Sequence, residues 1–244
     1  ARALRVDAEQ LLHPLDALLF ARELVAVDAE GRDAVMLSAY FYAEKETARY
    51  LRLLLRDAPE KPRPSLSREI GEFEKRNGIQ FSENQRRAVS EAVRQGLMVI
   101  TGGPGTGKTT VLKVIISVYE SLTGKSDILL AAPTGKAAKR MAESTGMLGA
   151  RTIHSALGLR SDSSEAESGI EEGLVIIDEM SMVDLSIAYK LMMNVHSSSR
   201  IVFVGDADQL PSVGAGNVFF DILRSECVEV TRLDTVFRQK GTSR

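Results

Sequence analysis

The residues best equipped for chemistry lie at 102–109, GGPGTGKT, which fit the spacing G-x-x-x-x-G-K-[ST]. Glycines let a backbone wrap closely around phosphates, so that successive N–H groups face anionic oxygens at the start of a helix. On this reading Gly103, Pro104, Gly105, Thr106 and Gly107 form the cradle. Lys108 reaches the β- and γ-phosphates, Thr109 holds Mg²⁺ and Thr110 follows at the helix start. Further on, Ile176 and Ile177 lead into Asp178 and Glu179, two consecutive carboxylates after an apolar run. Asp178 would complete the Mg²⁺ shell through water, and Glu179 would polarise the water that attacks the γ-phosphate. A third polar segment, residues 204–209 (VGDADQ), ends in Gln209, whose neutral amide suits a γ-phosphate sensor.

Such groups need strands to aim them. Apolar runs at 98–100, 128–131, 174–177 and 201–204 are continuous rather than alternating, as in strands covered on both faces, and helical patterns follow each of them. The pattern predicts an α/β fold with a parallel sheet and helices on both faces. In a parallel sheet the carboxyl ends of strands are where ligands sit, which places the three polar segments together.

Upstream, residues 8–20 carry leucines at helical spacing interrupted by Pro14, predicting one or two short helices. Residues 23–27 and 34–37 around a turn at 28–31 predict a β-hairpin. Helix then hairpin suits either the end of a winged helix or a packing domain without direct chemistry. Ser38 is expected to cap the next helix. Three prolines in residues 58–64 predict a linker, giving an N-terminal domain at 1–57, a linker at 58–68 and a nucleotide-binding domain at 69–244. Helices are expected at 70–77 and from Ser82, and the Ser/Glu-rich stretch 160–172 is expected to be a mobile loop or insertion.

The formal charge of −2 excludes a wholly basic coat, yet a single-strand groove needs only a local basic track. With Cys227 as the one cysteine, neither an intramolecular disulfide nor a zinc knuckle can form, which fits a reducing compartment. No stretch approaches the ~20 apolar residues of a membrane span. The expectation is a cytoplasmic protein, and the start at Ala1 suggests a piece of something longer.

Seven blocks in order, FSENQ (81–85), GGPGTGKTT (102–110), AAPTGKAAKRM (131–141), TIHSALG (152–158), VIIDEMSMVD (175–184), VGDADQLPSVGAG (204–216) and VFRQ (236–239), resemble the motif series of superfamily-one DNA helicases. More narrowly they resemble the RecD/TraA-like branch, which includes the exodeoxyribonuclease V alpha subunit and stand-alone relatives. The resemblance implies a RecA-like motor domain using ATP and Mg²⁺, with single-stranded DNA as partner, 5′→3′ movement, a role in DNA recombination or repair with protein partners from those processes, and a bacterial, nucleoid-associated setting. It implies that Gln85 reads adenine and that Arg238 neutralises charge on the transferred phosphoryl group. It assigns DNA contacts to Pro133, Thr134, Gly135, Lys136, Thr152, His154, Val213, Gly214 and Gly216. His154 suits a hydrogen-bonded structural role as well as a phosphate contact, and Lys139 and Arg140 suit a solvated helix face as well as a ligand.

Two departures stand out. The short polar stretch at 160–172 lies where the family carries a strand-separating hairpin, and the second motor domain would lie beyond Arg244. Among rivals, a phosphotransferase needs an acceptor site and an arginine-bearing lid, and no segment supplies them. A GTPase needs N-K-x-D, which residues 123–127 (TGKSD) do not provide. An ATP-dependent DNA-binding or regulatory module without unwinding stays open as the alternative.

Overall fold

The computed structural model describes residues 7–29, 31–57, 66–159 and 169–234. The chain divides into two compact units, 1–48 and 49–244. The division falls inside a helix, upstream of the stretch expected as linker, of which 58–65 lie outside the described residues.

In the first unit, helix α1 (Ala8–Phe20) is continuous through Pro14 and precedes strands β1 (Leu24–Asp28) and β2 (Asp33–Leu37). These form the expected antiparallel hairpin, in register from Leu24 opposite Leu37 to Asp28 opposite Asp33. Helix α2 (Ser38–Arg56) follows directly. Ser38 is its first residue rather than its cap, and its hydroxyl donates to the Arg22 carbonyl.

In the second unit, α3 (Leu66–Asn77) begins four residues earlier than expected, because Leu66 and Ile70 lie on one helical face and both are buried. Helix α4 (Glu83–Ala92) starts with a reciprocal cap. Ser82 Oγ accepts from the Gln85 N–H, and Gln85 Oε1 accepts from the Ser82 N–H. The remaining elements alternate: β3 (Leu97–Thr101), α5 (Lys108–Thr123), β4 (Ile128–Ala132), α6 (Gly135–Thr145), β5 (Arg151–Thr152), α7 (Ile153–Ala156), β6 (Leu174–Ile177), α8 (Leu185–Asn194), β7 (Arg200–Gly205), α9 (Val218–Ser225) and β8 (Glu229–Arg232).

The six strands of this unit form one parallel sheet in the order β5-β4-β6-β7-β3-β8. Every residue of β3 and β6 is buried, which accounts for the unbroken apolar runs at 97–100 and 174–177. Helices α4 and α5 supply Ala88, Val89, Val111, Val114 and Ile115 to the core against Met98, Ile100, Ile176 and Val202. The two edge strands escape the apolar pattern: β5 has two residues, and β8 (EVTR) carries Glu229 and Arg232. The segment 169–172, expected to be mobile, is anchored in part. Ile170 is buried, its N–H donates to Asn194 O (2.7 Å) and its carbonyl accepts from the His196 N–H (3.1 Å). Residues 160–168 lie outside the described residues.

Candidate nucleotide and nucleic-acid site

Parallel strands bring their carboxyl ends to one edge, and that edge holds the polar groups. The loop 102–107 leaves β3 with Gly105 and Gly107 in the left-handed region (φ 78° and 85°), where only glycine is unstrained. Thr106 is buried and its hydroxyl donates to Gly103 O (2.9 Å), closing the turn. The Lys108 ammonium donates to the carbonyls of Gly102 and Gly103, the latter at 3.1 Å, which holds it over the loop with a third N–H to spare. A side chain at Gly103 would meet nothing within 4 Å, so the loop has an open face there. This alternation of left-handed glycines before a helix of 16 residues is a concave arrangement of N–H groups suited to phosphate oxygens.

Strand β6 delivers Asp178 and Glu179 to the same edge. The Asp178 N–H donates to Ala131 O (2.9 Å), continuing the ladder, and Asp178 Oδ1 accepts from the Glu179 N–H (2.9 Å). Glu179 itself adopts φ 53° and ψ 39°, a left-handed conformation that costs a non-glycine residue about 1–2 kcal/mol. The Asp178 carboxylate and a bond from the Met182 N–H to Glu179 O (3.0 Å) hold it there. Burial pushes the pKa values of both carboxyls above their usual range. For Glu179 the neighbouring Asp178 charge adds to that effect, while Lys108 and Arg140 pull both down. Lys108, Asp178 and Glu179 therefore share one electrostatic neighbourhood.

Between β6 and β3 runs β7, so its polar continuation lies between the phosphate loop and the acidic pair. The Gly102 N–H donates to Gly205 O (3.3 Å), and Thr101 Oγ1 accepts from the Ala207 N–H (3.2 Å). Asp206 is buried, and its Oδ1 accepts from the Asp208 N–H (3.0 Å). Gln209 is exposed, with Oε1 facing the hydroxyl of buried Ser181 at 3.5 Å. Gln85 approaches the loop from α4. It is buried, and its Nε2 donates to Thr106 O at 3.5 Å. Beside it lies a pocket of about 310 Å³ lined by Ile79, Gln80, Phe81, Gln85, Gly107 and Thr110.

The residues expected at DNA lie farther along the edge, and in the loop after β7. Pro133 follows β4, and Thr134 caps α6 by accepting from the Ala137 N–H (3.2 Å). Thr134, Gly135 and Lys136 are all exposed. Thr152 caps α7 by accepting from the Ser155 N–H (3.1 Å), and His154 is exposed. Val213, Gly214 and Gly216 are exposed in the loop 210–217, braced by Ser212 Oγ donating to the carbonyls of Gly214 and Gly216. Arg238 lies outside the described residues.

Sequence reasoning passed over two residues of the pocket wall. Ile79 and Gln80 line the pocket, yet neither type signals a ligand. Arg140, for which the sequence leaves a solvated face and a ligand role both open, brings its guanidinium within 4.0 Å of Glu179 Oε1.

The AAA_19 family model, an AAA domain, matches residues 85–215. The chain belongs to the AAA_19 family, in its RecD-like superfamily-one branch. The RecBCD enzyme subunit RecD of Mycolicibacterium smegmatis is 36% identical over 216 residues, covering 78% of this chain and 38% of that protein. The ATP-dependent RecD2 DNA helicase of Deinococcus radiodurans is 35% identical over 227 residues, covering 92% of this chain and 30% of that protein. The chain thus spans only 38% of the length of the first relative and 30% of the second. The crystal structure of Pif1 helicase from Candida albicans is 27% identical, covers 67% of this chain and 42% of that one, and has a TM-score of 0.47. Among the described residues, no helix is long and apolar enough to cross a membrane.

Proposed function

We propose that this chain is the first motor lobe of an ATP-dependent DNA helicase or translocase that moves 5′→3′ on single-stranded DNA in recombination or repair, in a bacterial cytoplasm at the nucleoid. One observation carries the reading: the phosphate loop after β3 and the acidic pair after β6 share one sheet edge, with the Lys108 charge bearing on both carboxylates. In the proposed division of labour, the N–H groups of Gly103 and of residues 105–108 bind the triphosphate, Lys108 neutralises its terminal oxygens and Gln85 with the adjoining pocket receives the base. Glu179, with its pKa raised by burial, takes a proton from the attacking water. Gln209 hydrogen-bonds the terminal phosphate and, through residues 210–216, links its release to the strand of DNA.

The donor set fits magnesium. A hydroxyl from Thr109 and a carboxylate from Asp178 are hard oxygen ligands, and Mg²⁺ commonly takes one or two from protein and the rest from phosphate and water. Bound there, Mg²⁺ would supply charge neutralisation to the phosphate oxygens. Pro133, Thr134, Gly135, Lys136, Thr152 and His154, on the β4–β5 side, form the DNA track.

ATP hydrolysis measured with and without single-stranded DNA, on this chain and on one extended through a second motor lobe, tests the proposal, with Lys108→Ala as control. Strong stimulation by DNA in the extended protein, lost in the variant, is expected. ATP binding without any stimulation in the extended protein would overturn the translocase reading.

A further inference from the structure

Glu74 is a buried carboxylate that no step above uses. It lies on the last turn of α3, 8% exposed, in the sequence EFEKRN, whose other charged residues are far more exposed. Burying a carboxylate is costly unless each oxygen is engaged. Both are engaged here. Oε1 accepts from the Phe81 N–H at 2.8 Å, and Oε2 accepts from Arg86 Nη2 at 2.6 Å. The same residue's carbonyl accepts from the Ile79 N–H at 3.1 Å, where the chain turns through Gly78 at φ 61°.

These three bonds share one target. Ile79, Gln80 and Phe81 are the wall of the 310 Å³ pocket beside the phosphate loop, and Arg86 is the residue after Gln85. Glu74 thereby ties the end of α3 to both sides of the turn that presents the pocket: the wall at 79–81 before Ser82, and the first turn of α4 after it. Stacking of Phe73 on Phe81, with ring centroids 6.3 Å apart, holds the same wall from its apolar side. We infer that Glu74 is a positioning residue for base recognition, fixing the 79–81 wall and the Gln85 amide so that the pocket accepts a purine base in one register. The inference rests on the proposed nucleotide site and deepens it. Glu74 touches the pocket wall and not the nucleotide, so its influence should appear in affinity for the base and leave the phosphate contacts as they are.

The experiment measures binding of ATP, GTP and inorganic tripolyphosphate to this chain by calorimetry. Glu74→Ala strands the buried Phe81 N–H and should weaken ATP binding about tenfold, with the ATP-over-GTP preference reduced and tripolyphosphate binding unchanged. Glu74→Gln keeps an acceptor for Phe81 and should stay within about threefold of the parent for ATP. Lys108→Ala should weaken all three ligands together. Equal losses for ATP and tripolyphosphate in Glu74→Ala would mean a general structural role and overturn the inference, as would no loss at all. Should Glu74→Ala not fold, Glu74→Asp decides the matter, because withdrawing the carboxyl by one methylene should produce the same selective loss in smaller measure. If the unaltered chain binds neither ATP nor tripolyphosphate, the nucleotide site itself fails, a result distinct from any of these.

Discussion

Replacing Gly205 by alanine offers a stringent test of how β7 is seated. A Cβ there would lie 2.6 Å from Cζ of Phe219 and 3.0 Å from both Cε atoms, closer than carbon atoms pack. The Phe219 ring is 1% exposed and meets Phe220 edge-on at 5.9 Å, so it cannot swing into solvent. Either the ring or the strand end must move by roughly 1 Å, an overpacking whose usual cost is about 1–3 kcal/mol. For a chain of this size about 2 kcal/mol corresponds to a melting temperature lower by about 4–8 °C. Gly205 O also accepts from the Gly102 N–H, so a shifted strand end drags on the phosphate loop, and weaker nucleotide binding should accompany the lost stability. The assay is urea unfolding of the parent, Gly205→Ala, Phe219→Leu and the double variant. Leucine vacates the ring edge, so the double variant should be more stable than the sum of the singles by at least about 1 kcal/mol. Strict additivity, or a Gly205→Ala variant as stable as the parent, would refute the close approach.

Other outcomes follow from the same geometry. Glu179→Gln should lower ATP turnover by about 10²–10⁴ while nucleotide affinity is retained, which single-turnover and binding measurements would separate. Asp178→Asn should raise the urea midpoint at pH 7 in magnesium-free buffer, because burial disfavours the ionised carboxylate and an amide oxygen can still accept from the Glu179 N–H; a lower midpoint would contradict this. Tyr119 is buried and donates to Asp127 Oδ1 at 2.9 Å, and burial first, then that bond, pushes its hydroxyl up to about 12. An unfolded tyrosine loses its proton near pH 10, so the folded state binds this proton more tightly and stability from Tyr119 should fall between about pH 10 and 12. The slope of unfolding midpoint against pH in that window should be shallower in Tyr119→Phe than in the parent.

The sequence announced the centre of the sheet and hid its margins, for a physical reason. Leu97–Thr101 and Leu174–Ile177 are buried on both faces and so are apolar at every position but Thr101, whereas Glu229–Arg232 has one neighbour among the described residues and pairs Glu229 with Arg87 of α4. A strand that answers a charge across space carries no period to read. The catalytic candidates were legible because phosphate chemistry demands glycines, a lysine and carboxylates at set spacing. Glu74 was not, since a charged residue on a helix reads the same whether it faces solvent or a single buried N–H. The left-handed backbone of Glu179 was equally silent: the dipeptide Asp-Glu shows nothing of the turn that aims it.

The place of β3 in the sheet bears on how the protein is made. Its two neighbours, β7 and β8, pair with it from residues 201–205 and 229–232, more than a hundred positions later in the chain. At about 5–20 residues per second, a ribosome needs several seconds after finishing β3 before either partner exists. Throughout that interval a strand apolar at four of its five residues waits with both edges unpaired, the state in which chains most readily join one another. The nascent P-loop is then without a scaffold, so nucleotide cannot assist early folding and can stabilise only what the last two strands have already completed. Slow synthesis, or a pause before residue 200, should therefore raise the demand for chaperones far more than a pause after residue 232.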